Sequence, residues 1–176
     1  MRSARTASCR GCVTTSAGSA EVATWEEFAA AAPDVAARGR DILYQHGPGL
    51  AYLATVRKDG GPRVHPVCPH VAVGRLWVFI GHASPKRHDL LRDGRYALHA
   101  FPSPEVDDEF FVAGRATPLE DPELEASIRA DLPFNSQPED RPFALSIERA
   151  LLSTYGPRPS WPPVYTRWPA TSPRPS

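Results

Sequence analysis

The chain has 176 residues, 41% hydrophobic and 23% charged, with 20 basic and 20 acidic side chains. That length and composition fit one globular domain with a real core and exclude a disordered chain. The net charge of zero speaks against a nucleic-acid or polyanionic-membrane binder, which carries a basic excess.

Residues 1–22 have almost no large apolar side chains and no period; they read as a disordered leader, or as residues upstream of the natural start. Thr24 then has the chemistry of an N-cap, with Glu26 and Glu27 in the first turn and Trp25, Phe28, Ala29 and Ala32 at helical spacing. Pro33 interrupts this helix, and a second is predicted from Asp34 to about Gln45, broken by His46-Gly-Pro-Gly49.

Leu50–Val56 is a short, nearly continuous apolar run, as in a buried strand. Arg57-Lys-Asp-Gly-Gly61 is a hairpin signal, because Asp-Gly and Gly-Gly accept positive φ. Arg63–Val73 reads as strand two, and Pro66 and Pro69 within it imply an edge, a bulge or a strand leaving its sheet. Gly74 turns the chain into strand three, Leu76–Ile80.

A short helix is predicted over Ser84–Arg92, with Ser84 as N-cap, Pro85 at its first position, Leu90 and Leu91 inward and Gly94 as C-cap. Tyr96–Phe101 is strand four. After an acidic loop, Phe110–Leu119 is strand five with Gly114 as a bulge. A helix over Pro122–Leu132, strand six over Phe143–Tyr155 and a short strand over Val164–Trp168 complete the chain. Six strands with short hairpins, and helices that do not alternate with them, predict a mainly β protein with peripheral helices, built as a six-stranded antiparallel barrel. The domain is expected over residues 23–156, followed by a proline-rich tail over 157–176.

The 20 prolines are about twice the usual share of ~5%. Lys58 and Lys86 are the only lysines, against 18 arginines. Both features read as compositional bias, so a lysine inside a motif draws notice. The three cysteines, Cys9, Cys12 and Cys68, are too few for a disulfide framework, and the lone Cys9-x-x-Cys12 lacks the second ligand pair of a zinc site. No metal is expected. His70, His88 and His99 are dispersed, and no Ser/His/Asp or paired-carboxylate arrangement stands out. No apolar run approaches the ~18 residues of a membrane span, and the basic N-terminus lacks the apolar stretch of a secretory signal, so a cytoplasmic, reduced protein is expected.

The densest chemistry is Gly81-His-Ala-Ser-Pro-Lys-Arg-His88, where a strand ends and a helix begins. Lys86 and Arg87 place two positive charges in a first turn whose backbone dipole already favours negative charge. A helix that accepts that repulsion is suited to hold an anion, and phosphate is the usual guest. The alternative is a solvated basic turn that binds nothing. There is no G-x-G-x-x-G and no P-loop, so the familiar dinucleotide and nucleoside-triphosphate sites are disfavoured.

Leu50–Val56 with Asp59-Gly60 and Pro62–Pro66, then Ser84-Pro-Lys86 with Leu90, Asp93 and Tyr96–Ala100, then Phe111–Ala116, resemble in order and spacing the FMN-binding split barrels related to pyridoxamine 5′-phosphate oxidase. The resemblance covers about residues 24–155. It implies a six-stranded split barrel that forms a homodimer, with FMN in a groove at the subunit interface. It implies that Ser84 and Lys86, with Arg87 beside them, contact the flavin phosphate, and that His65, Pro66 and Val67 of strand two lie along the flavin ring.

Two departures stand out. His65 occupies the place of a phosphate-binding arginine, and Gly81-His82 stands where the family often has Thr or Ser. They leave the cofactor open between FMN, the deazaflavin F420 and haem, all of which serve relatives on this fold. The segment with which true pyridoxamine phosphate oxidases hold their substrate, bearing arginine and histidine, is absent. The expected function is therefore a flavin-dependent oxidoreductase with an unassigned small-molecule substrate. The alternatives are an F420-dependent reductase and a non-catalytic flavin- or haem-binding protein. No catalytic residue is assigned.

Overall fold

A computed structural model describes residues 22–103, 105–156 and 162–169. The leader over 1–21, with Cys9 and Cys12, lies outside the described residues, as does much of the tail. The elements are α1 (Trp25–Ala31), α2 (Pro33–Tyr44), β1 (Ala51–Val56), β2 (Pro62–Val67), β3 (His70–Ala72), β4 (Arg75–Ile80), α3 (Pro85–Arg92), β5 (Arg95–Ala100), β6 (Glu109–Pro118), α4 (Pro122–Ala130), β7 (Arg141–Thr154) and β8 (Val164–Trp168). All strand pairs are antiparallel, in the order β2-β1-β5-β6-β7-β4-β3, with β8 paired to β7. The protein is a mainly β split barrel with helices on its periphery.

The expected second strand is two strands on opposite edges of the sheet. β2 pairs with β1 at one edge and β3 with β4 at the other. Only Cys68 and Pro69 separate them, so the sheet must curl until its edges nearly meet. Pro66 is tolerated because β2 has a neighbour on one side only. β8 is also formed, its Trp168 opposite Ala150.

The inner face of the barrel carries Leu53, Leu76, Val78, Ile80, Leu98, Phe110, Val112, Phe143, Leu145 and Ile147, all buried. Each such side chain contributes about 1.5–3 kcal/mol relative to exposure. A smaller cluster on the other face packs Trp77 and Ala72 against Ile128 of α4. Both faces of β4 are thus covered, which explains its unbroken apolar run.

Thr24 and Glu27 form a capping box at α1, with the Glu27 carboxylate 2.7 Å from the Thr24 amide. α1 and α2 close one end of the barrel. Phe28 meets Trp25 and Trp168 edge-to-face at 5.6 and 5.2 Å, so Trp168 seals the core. The register shifts between Ala113 and Gly114, where a Cβ on Gly114 would fall 2.0 Å from the Ser146 carbonyl oxygen.

Two local expectations fail at α3. Leu91 is exposed, because Asp89 takes the inward place beside Leu90. Gly94 is not the C-cap; Asp93 is, in extended backbone. Gly94 instead lets two strands approach, and a Cβ there would lie 2.9 Å from the Ala116 carbonyl oxygen. Among the described residues no helix is long and apolar enough to cross a membrane.

Candidate functional site

The β1–β2 hairpin sets the first wall. The Arg57 amide donates to the Gly61 carbonyl at 2.8 Å and Gly60 takes φ +83°, which fixes the register so that Thr55 stands opposite Arg63. Side chains alternate along β2. Arg63, His65 and Val67 share the more covered face, and Pro62, Val64 and Pro66 share the exposed one. The expected ring-supporting trio is therefore split: His65 and Val67 lie together, and Pro66 lies beside Tyr52 on the outer surface.

α3 is fastened to this wall by Asp89. Its Oδ2 accepts from Arg63 Nε at 2.7 Å and from Thr55 Oγ1 at 3.0 Å, and its Oδ1 accepts from Arg92. Burial works to raise the Asp89 pKa, but the bonds from Arg63 and Thr55 and the neighbouring guanidinium charges outweigh it and hold the group below the ordinary 3.8. Because Arg63 reaches α3 from the face that also carries His65, that face of β2 is the one turned toward the helix. A cleft of about 550 Å³ runs here, lined by Arg57, Lys58, Asp59, Arg63, Pro85, His88 and Asp89.

The first turn of α3 holds the predicted anion ligands. The Ser84 amide donates to the Gly81 carbonyl and the Arg87 amide to the Ser84 carbonyl, each at 3.0 Å. Ser84 is the N-cap, yet its hydroxyl makes no capping bond. Lys86 is half-buried, and desolvation pushes its pKa down while the Asp140 charge pulls it back up. No carboxylate lies within ion-pairing distance of its ammonium among the described residues. Asp140 also approaches Gly81: a Cβ there would lie 3.4 Å from Asp140 Oδ1. A hydroxyl that caps nothing beside an unpaired, partly desolvated ammonium suits one phosphate.

Arg87 and His82 form a separate pair. Arg87 Nη1 lies 3.4 Å from His82 Nδ1 and donates to the Glu139 carbonyl at 3.3 Å. Arg87 lines a second cleft together with Glu120, Glu125, Glu139 and Asp140, and those acids oppose an anion. Arg87 and His82 thus have partners of their own, whereas the Ser84 hydroxyl caps nothing and the Lys86 ammonium has no ion pair among the described residues.

Asp89, Arg63 and Asp140 were not legible as site residues in sequence. The hairpin register was the available signal, since a turn centred on Asp59-Gly60 sets Thr55 opposite Arg63 and leaves a buried pair seeking an acid. His70, expected to stand apart, links three elements: Nδ1 lies 3.3 Å from the Tyr44 hydroxyl and Nε2 3.0 Å from Asp131 Oδ2. Burial raises the Cys68 thiol pKa, which disfavours the thiolate. No cluster of three or more potential metal ligands occurs among the described residues.

The family model described as pyridoxamine 5′-phosphate oxidase matches residues 42–148, more than half of the chain. A pyridoxine/pyridoxamine 5′-phosphate oxidase of Anaeromyxobacter dehalogenans (strain 2CP-C) is 36% identical over 107 residues, covering 57% of this chain and 54% of that protein. The chain thus spans about half the length of that curated relative. Among solved structures, a heme binding protein from Mycobacterium smegmatis is similar with a TM-score of 0.54 at 18% identity, over 74% of this chain and 57% of the other. PhzG from Burkholderia lata 383 is similar with a TM-score of 0.52 at 14% identity, over 76% and 91%. At those identities the two structures share the fold alone. The match over residues 42–148 takes in the hairpin, the Asp89 latch and the Ser84–Lys86 turn together, and the chain belongs to the pyridoxamine 5′-phosphate oxidase family.

Proposed function

We propose that this chain is a flavin-dependent oxidoreductase that binds FMN, acts as a homodimer on a small-molecule substrate and resides in the cytoplasm. The observation that carries the reading is Lys86: a half-buried ammonium with no ion pair, beside a Ser84 hydroxyl released from capping. Both would close on the flavin phosphate, and the β2 face bearing His65 and Val67 would flank the ring. When bound, FMN supplies the hydride and electron transfer. The protein would supply the phosphate anchor and the ring wall.

The homodimer rests on the outer face of β2, β1 and β5. Val64 and Tyr52 are 58% and 43% exposed there, and Tyr52 stacks on Phe101 at 4.3 Å. A second copy of the chain would cover this apolar surface.

The test is cofactor titration of the purified chain. FMN should bind with a visible flavin spectrum and raise the melting temperature. Lys86→Ala should weaken FMN by at least about tenfold, the loss expected for one charge-assisted bond. A Soret band on adding haem, or stabilisation by F420 and not by FMN, would replace FMN with that cofactor. Unchanged FMN affinity in Lys86→Ala would remove the anchor assignment.

A further inference from the structure

Most arginines of the described residues are matched with a carboxylate. Arg38 pairs with Asp108, Arg57 with Asp59, Arg63 and Arg92 with Asp89, Arg95 with Asp93, Arg115 with Glu148, Arg129 with Glu125 and Arg141 with Glu120. In a chain of zero net charge, the exceptions carry information. Two of them, Arg149 and Arg167, line one cleft of about 430 Å³ on the outer surface of β6, β7 and β8.

The register explains the convergence. Leu151 of β7 stands between Phe111 of β6 and Arg167 of β8, and Arg149 lies two residues along on the same face. Trp168 and Pro169 close the end of the cleft, and Trp168 is held from behind by Phe28. The one acid in the lining, Glu148, is engaged by Arg115 at 3.6 Å. Arg167 lies over the Tyr165 ring at 5.4 Å, a contact that leaves its N–H edge open. The result is an apolar floor of Phe111 and Leu151, ended by Trp168 and Pro169 and flanked by two guanidiniums that have no carboxylate of their own among the described residues. Its size falls within the ~300–1,000 Å³ of small-molecule sites.

We propose that this cleft is a binding site for a flat, largely apolar molecule bearing a carboxylate, with the ring on Phe111 and Leu151 and the carboxylate on Arg149 and Arg167. Planar guanidinium groups match a carboxylate bidentately, which a neutral ligand cannot use. The site lies apart from Ser84 and Lys86; because Phe111 continues the cross-strand row Pro66–Tyr52–His99 of the face assigned to the second copy, the inference rests on that copy leaving the cleft uncovered.

The probes are 2-naphthoate and its neutral counterpart 2-naphthylmethanol, titrated calorimetrically into the full chain. The naphthoate should bind at least about tenfold more tightly than the alcohol. The double variant Arg149→Gln/Arg167→Gln should reduce naphthoate affinity by about tenfold or more and leave the alcohol unaffected. Both arginines are exposed, so the fold should survive, and an unchanged melting temperature of the ligand-free variant confirms it. Arg95→Gln, on an exposed arginine elsewhere, is the control and should bind naphthoate as the wild type does. Saturating FMN should not compete; competition would place the naphthoate in the flavin groove and overturn the assignment. Equal affinity for the two probes, or no loss in the double variant, would overturn it as well. So would absence of binding, the result expected if a second copy or the chain's own tail fills the cleft.

Discussion

Arg63 of β2 and Asp89 of α3, 26 residues apart in the chain, meet at 2.7 Å, and Thr55 completes the contact from β1. This buried carboxylate fastens the helix that carries Ser84 and Lys86 to the hairpin that carries His65. The Asp89 side chain is 4% exposed and that of Arg63 27%, so the pair is shielded on one side only. Asp89→Asn should cost about 2 kcal/mol, less than the loss for a fully buried pair. Chemical denaturation measures the stability, and FMN titration of the variant should show weaker binding because the phosphate turn loses its support.

Acid should undo the same latch. Asp89 has a pKa below its ordinary value in the folded state, so its contribution is complete above about pH 4 and is lost as pH falls through the folded value. The melting-temperature gap between wild type and Asp89→Asn should therefore be constant near neutral pH and shrink below pH 3.8. A gap that widens in acid would contradict the assignment.

Lys86 should show the opposite trade. Desolvation disfavours its charged form, so the ligand-free fold carries a cost that Lys86→Met removes. The variant should gain about 0.5–1 kcal/mol without cofactor, or roughly 1–4 °C in melting temperature. It should also lose most of the stabilisation conferred by FMN. Differential scanning calorimetry with and without FMN separates the two effects.

Gly39 lies in the middle of α2, where alanine would ordinarily stabilise a helix by about 1 kcal/mol. A Cβ there would fall 2.4 Å from the ring of Phe110, which is fully buried and has nowhere to move. Overpacking of that kind costs about 1–3 kcal/mol. Gly39→Ala should be net destabilising by about 1 kcal/mol in urea denaturation.

The exposed Val64 on β2 supplies a test of assembly. Val64→Glu should leave the monomer's stability within ~0.5 kcal/mol, as surface changes do. It should shift the monomer–dimer equilibrium toward monomer by at least about tenfold in sedimentation, since a charge on an apolar contact face opposes pairing. An unchanged equilibrium would move the interface elsewhere.

Elements with one strong local signal were legible in the sequence. The N-cap at Thr24, the Asp59-Gly60 hairpin, the Gly114 bulge and the apolar run of β4 each follow from a few adjacent residues. The edge-to-edge passage at Cys68-Pro69 was legible only as irregularity, because proline marks a break without saying which neighbour comes next. The site was half legible. Ser84 and Lys86 stood out by chemistry, but the carbonyl that holds Arg87 lies on a loop about 50 residues on, and no periodicity reports such a contact. Asp89 was missed because an acid between a histidine and two leucines reads as the solvent side of a helix until Thr55 and Arg63 are placed opposite it.

The Cys68-Pro69 link has a mechanical consequence. Val67 and His70 belong to strands on opposite edges of the sheet, yet three virtual bonds join them, a reach of at most about 11 Å. The covalent chain therefore limits how far the barrel can part along that seam, whatever the hydrogen bonds do. A cofactor as large as a flavin cannot be admitted by springing the edges apart there.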